Sequence, residues 1–196
     1  MKTPVKSFLL SNDNILNIYY SENHDNPQQE NDNLGHCEFF HRKYNFGNEN
    51  EFSDSQDAME YTKSKDVISL PVYMYEHSGV TIKTSPFGCN WDSGLIGFIW
   101  VSKQKIRKEY NVKRISNKLK EKVLSTLIAE INILDQYVSG DVYSFEVVDN
   151  EGNDIDSCSG FYGDNFKENG LFYHALNKNV TVVKEIEVKH SFEYMY

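Results

Sequence analysis

Cysteine is scarce in this sequence: Cys37, Cys89 and Cys158 are its three thiols, spread across 196 positions. No CxxC pair occurs, so no disulfide framework is written into the chain, and the three read as structural thiols of a reducing cytoplasm. Long apolar runs are missing as well. The N-terminal stretch MKTPVKSFLLSNDN holds only a short one, against the roughly 7–15 apolar residues of a secretory signal. Nothing approaches the roughly 18 residues that cross a bilayer. The expectation is a cytoplasmic protein with no membrane contact. Neither GxxxxGK[ST] nor GxGxxG is present, so no nucleotide or other cofactor is expected. An excess of positive charge is also absent. Twenty Lys and Arg face 29 Asp and Glu, a net charge of −9 that repels duplex DNA unless charge is segregated, and direct duplex binding is not expected.

Aromatic residues are plentiful at 14%, which argues against disorder, and the length suffices for one substantial core. The charge is uneven. Residues 1–66 carry 12 acids and 6 bases, and residues 140–196 carry 11 and 4, whereas residues 102–139 carry 9 bases and 4 acids. The chain is acidic at both ends with a basic middle.

Residues 1–66 read as a polar, partly irregular N-terminal segment docked on a core domain of residues 67–196. SENHDNPQQENDN and residues 49–66 look like loop, and HCEFFHRKYNF between them supplies aromatics to the core. From Val67 the pattern sharpens. VISLPVYMYE alternates as a strand, with Pro71 implying an edge or a bulge. VTIKTS returns as a second strand, and LIGFIWVS, apolar on both faces, reads as a central one. KQKIRKEY forms a short helix. In the long helix that follows, Leu119, Val123, Leu127, Ile131 and Leu134 make one apolar stripe, ended by Gly140. DVYSFEVV and NDIDSCSGFY form a hairpin around DNEG, and NVTVVKEIEV gives a further strand. The expected fold is α+β, a mainly antiparallel sheet with one long and one short helix packed on it.

The stretch YMYEHSGVTIKTSPFGCNWDSGLIGFIWVS concentrates reactive types. Cys89 as nucleophile, His77 as base and Asp92 as orienting group is one arrangement, next to Glu76. No nucleophile signature accompanies it. Turn-forming glycines, with Trp91 and Trp100 filling core, explain the stretch as a folding element, and no catalytic residue is assigned. His36, Cys37 and His41 form a local H-C-x3-H cluster without the second ligand pair of a zinc site, so no metal is expected. Lys103, Lys105, Arg107, Lys108, Lys113, Arg114, Lys118, Lys120 and Lys122 fall within twenty residues, either as a solvated face or as a phosphate-binding one. Basic residues at a helix start oppose its macrodipole.

Three blocks, DNLGHCEFFHRKYNFGN, LPVYMYEHSGVTIKTSPFGCNWDSGLIGFIWVSKQKIRKEY and DQYVSGDVYSFEVVDNEGNDIDSCSGFYG, resemble those of a family of uncharacterised proteins carried by bacteriophages, plasmids and integrated elements. Its members read DNLG…HRRYNLGD, LPLYLYDHSG…CxWDSGxxGFIYV and DQYLxGDVY…DSCWGFYG. This chain has Ser159 where that pattern has Trp. The resemblance implies a mobile-element setting, where small acidic proteins inhibit host defences. The expected function is an anti-CRISPR or anti-restriction inhibitor of a host defence nuclease. It would act by protein binding, as an acidic nucleic-acid mimic. Asp149, Glu151, Asp154, Asp156 and Tyr162 are the candidate partner contacts. A small enzyme using His77, Cys89 and Asp92, or a nucleic-acid-binding module using the basic residues 103–122, is the alternative.

Overall fold

A computed structural model describes residues 2–22, 24–89, 91–176 and 178–188. In chain order the elements begin β1 (Lys6–Leu10), β2 (Ile15–Tyr20), α1 (Pro27–Glu30), β3 (His36–Phe39), α2 (Ser55–Thr62), β4 (Val67–Glu76) and β5 (Val80–Lys83). They continue with β6 (Ser93–Ser102), α3 (Lys103–Glu109), α4 (Asn117–Ser139), β7 (Val142–Val148), β8 (Asp154–Tyr162), α5 (Leu171–Ala175) and β9 (Val182–Ile186). The fold is α+β with antiparallel sheets. Its one long helix, α4, is accompanied by several short ones. The chain divides into two compact units, Met1–His24 with Gly140–Tyr196, and Asp25–Ser139. The boundary expected at 66/67 falls inside the second.

The first unit is a five-stranded sheet ordered β8-β7-β2-β1-β9. Side chains alternate faces along a strand. Phe8, Leu10, Leu16, Ile18, Phe145 and Val147 therefore share one apolar face, closed by Phe166 and by Leu171 and Ala175 of α5. Strands β1 and β2 come from the segment read as polar and partly irregular. Their signal is FLL and ILNIYY flanking the turn residues SNDN, where Asp13 takes a left-handed φ of 65°.

The second unit is a four-stranded sheet ordered β3-β6-β4-β5. Strand β6 is apolar on both faces because both are covered. Ile99 and Val101 join the α4 stripe of Val123, Leu127, Ile131 and Leu134. Phe98 and Trp100 lie on the other side with Ala58 of α2. Each fully buried aliphatic chain in that stripe contributes about 1.5–3 kcal/mol. Pro71 precedes the β4–β5 pairing, which covers only Tyr73–Glu76, so its missing N–H falls where β4 is a local edge, beside a bulge at Val72/Tyr73.

The polar stretches read as loop are organised by hydrogen bonds rather than apolar burial. Gln28, only 3% exposed, donates to the Gly35 carbonyl at 3.2 Å and to Asn48 Oδ1 at 3.0 Å, and Asn48 Oδ1 also accepts the Cys37 N–H at 2.8 Å. Glu38, with no exposed surface, accepts the N–H groups of Glu51 and Phe52. Residues 55–62, expected as loop, form α2 because Asp54 caps it, accepting the N–H of Gln56 at 2.8 Å and of Asp57 at 3.0 Å.

Candidate polyanion-binding groove

Four pieces of the second unit wall a groove of about 910 Å³. The turn after α2 brings Lys63 and Lys65, and α3 brings Lys103 and Arg107. The α3–α4 loop brings Lys113 and Arg114, and the start of α4 brings Lys120. No carboxylate lines it. None of these cations is ion-paired among the described residues. Its apolar floor includes Val67, Ile68, Ile115 and Leu124.

Local structure explains the convergence. Strand β6 runs straight into α3, whose first turn is capped by Ser102 Oγ accepting the Lys105 N–H at 3.1 Å. At the other end Asn111 takes a left-handed φ of 49°, and the Val112 N–H returns to the Arg107 carbonyl at 3.0 Å. The chain thus turns sharply and delivers Lys113 and Arg114 beside α3. Ser116 then caps α4, its Oγ accepting the Leu119 N–H at 3.2 Å. α4 has no acid in its first turn and no base in its last, the reverse of what its macrodipole favours. Lys118 and Lys120, in its first turn, are unfavourable with that macrodipole.

Lys105 donates to the Asn33 carbonyl at 2.8 Å, away from the groove lining. Lys63 and Lys65 were missed as site residues because they stand forty positions from the basic block, in a segment whose average is acidic.

The acidic hairpin lies in the first unit. Asp149 is occupied in its own turn: it accepts the N–H of Glu151 at 2.9 Å and of Asn153 at 2.8 Å, and the Asn153 Nδ2 at 2.9 Å. The Asn153 hydrogen bonds hold its carboxyl below the usual range. Glu151, Asp154 and Asp156 are exposed. Tyr162, half-buried opposite Val142, sits at the far end of β8, roughly 25 Å from Asp154 at about 3.3 Å per residue. The structure does not bring it to the acids.

His77, Cys89 and Asp92 do meet, in an order unsuited to thiol activation. Asp92 Oδ2 lies 3.7 Å from Cys89 Sγ and 3.7 Å from His77 Nδ1, so the carboxylate stands between thiol and imidazole. The base that thiol activation needs is therefore kept off the sulfur. Glu76 is engaged elsewhere, accepting Lys43 Nζ and Tyr44 Oη at 2.7 Å each, and the Lys43 bond foremost holds its carboxyl low. Trp91, expected in the core with Trp100, is 96% exposed. It precedes β6 in an irregular loop, where no sheet face exists to bury it.

The H-C-x3-H cluster is split by the pleat of β3. Cys37 enters the α4-side core, whereas His36 packs on Trp100 with ring centroids 4.8 Å apart. His36 instead joins Glu38 and Glu51 in the group of metal-type ligands found among the described residues. There Glu38 is already committed to His36 at 3.0 Å and to the backbone of residues 51 and 52. Cys158, read as a structural thiol, is exposed on the edge strand β8. No helix is long and apolar enough to cross a membrane among the described residues.

Comparison with known proteins finds no matching family model, no matching curated protein and no matching solved structure.

Proposed function

We propose that the protein works by binding a phosphate-rich polymer, a nucleic acid, in the groove of its second unit. The observation that carries this reading is the lining itself: seven Lys and Arg side chains, no carboxylate, and about 910 Å³ of space. The net charge of −9 does not oppose it, because charge is segregated. Thirteen acids and six bases belong to the first unit, and the second is nearly balanced at 16 acids and 14 bases. Phosphate neutralisation supplies salt-dependent affinity without base contacts. The test is fluorescence anisotropy of a labelled oligonucleotide at two salt concentrations, with Lys103→Glu/Arg107→Glu beside the wild type and circular dichroism as a folding control. Affinity should fall with salt, and the variant should lose about one unit of log–log salt slope per cation removed. Absence of binding at low salt, or a folded variant that binds as wild type, overturns the reading.

A second reading follows the mobile-element resemblance: inhibition of a host defence nuclease through the acidic hairpin. What favours it is β8, an edge strand exposed from Asp154 through Gly160, with Ile155 56% exposed between two carboxylates. Exposed edges invite a further strand. Pull-down from a host lysate with wild type and with Glu151, Asp154 and Asp156 changed to Lys tests it. A nuclease retained by the first and lost by the second supports it. Equal retention rejects the hairpin as the contact.

A further inference from the structure

The groove does not end at Arg114. A second cavity, of about 340 Å³, shares Arg114 and Ser116 with it and differs in character. Its walls are Tyr110, Val112 and Leu119, with Lys118 and Lys122 at the side. Lys122 Nζ lies 5.0 Å from the Tyr110 ring centroid, and Tyr110 is half-buried. A basic groove without aromatic lining thus adjoins, at Arg114 and Ser116, a smaller cavity with an aromatic ring, aliphatic walls and two more cations. We infer, resting on the polyanion reading above, that this track takes single-stranded nucleic acid, with backbone phosphates in the groove and an unpaired base in the Tyr110 cavity.

Three physical reasons select a single strand. Phosphates need only cations, which the groove supplies; nothing about them calls for an apolar chamber beside it. Bases do, because their faces stack on rings and aliphatic surface once they are free of a partner. A base paired inside a duplex is stacked and cannot enter a side cavity unless it is flipped out. Charge outside the track adds the third reason. Nine of the second unit's 14 cations line the two cavities, leaving five against its 16 acids elsewhere. A flexible strand can follow the basic track, whereas a rigid duplex of twice the charge also meets the acidic surround. The groove proper has no ring for stacking, so readout of sequence there is weak, and base contact is confined to the smaller chamber.

The experiment compares four fluorescent ligands on the unaltered protein at one salt concentration: a single-stranded oligonucleotide, its duplex, an abasic deoxyribose-phosphate chain of equal length, and inorganic polyphosphate. The single strand should bind about tenfold or more tighter than the duplex and the abasic chain. Tyr110→Leu, which keeps apolar bulk, and Val112→Glu, which places a carboxylate in the chamber, should each remove most of that advantage. If duplex or abasic chain binds as tightly as the single strand, the single-strand inference fails while the groove reading stands. If none of the four binds, both fail. The wild-type comparison decides the matter even where a variant does not fold.

Discussion

Glu130, in the middle of α4, accepts the backbone N–H of Gly35 at 2.9 Å, and its other oxygen accepts that of Leu34 at 2.7 Å. One side chain therefore pins a polar segment to the helix from 95 positions away. A Cβ on residue 35 would lie 2.7 Å from both Glu130 Oε2 and Ile99, so the close approach demands glycine. Glu130→Ala strands two N–H groups and should cost about 2–4 kcal/mol in urea unfolding. Burial raises the Glu130 carboxyl, so the native state holds this proton more tightly than the unfolded chain does. The contribution of this group is fully present below the ordinary carboxylate range and falls as pH rises through the raised value. Glu130→Gln should lack that dependence, so wild type should gain on it as pH is lowered.

Gly97 faces a similar constraint between β3 and β6, where an added Cβ would collide with the Glu38 carbonyl and the Phe39 ring. Gly97→Ala should destabilise by about 3 kcal/mol. Gly94, three residues earlier in the same strand, has nothing within 4 Å of that position. Gly94→Ala should stay within about 0.5 kcal/mol of wild type by chemical denaturation.

Asp149 and Glu151 are neighbours with different duties. Asp149 organises the β7–β8 turn, whereas the Glu151 carboxylate makes no hydrogen bond or ion pair among the described residues. Asp149→Ala should lower the melting temperature at neutral pH, and Glu151→Ala should not. Because the Asp149 carboxyl is held low in the folded protein, its stabilisation is present above the usual carboxylate range. It is lost as pH falls through the depressed value, so the two variants should converge below roughly pH 4. Melting curves across that range measure it.

The three thiols should react in a fixed order. Cys158 is exposed, Cys89 half-buried, and Cys37 fully buried with its thiol pushed up by that burial. Native alkylation followed by mass spectrometry should label Cys158 first, Cys89 slowly, and Cys37 only after unfolding. Cys89→Ser should leave polyanion binding unchanged. A selective loss of that binding would assign Cys89 a role the geometry does not give it.

Local pattern alone determined several features of this protein. The stripe from Val123 to Leu134 and the two-sided apolar run of β6 each record which faces are dry, and that is a property of spacing along the chain. The hairpin around DNEG and the Gly140 helix stop, where φ is +77°, are equally local. Tertiary structure alone decided the rest. Partner choice between distant segments leaves no periodic trace, so the pairing of β2 with β7 and the docking of Gly35 on Glu130 were not legible. The same holds for the polar network of Gln28, Asn48 and Glu38, whose composition is that of a loop until its hydrogen bonds are made. The groove shows both halves of the matter. Its basic block at 103–122 was visible as charge. Only folding brought Lys63 and Lys65 to it, turned Lys105 aside, and left the lining free of carboxylates, because electrostatic surfaces are set by distance in space rather than by separation in sequence.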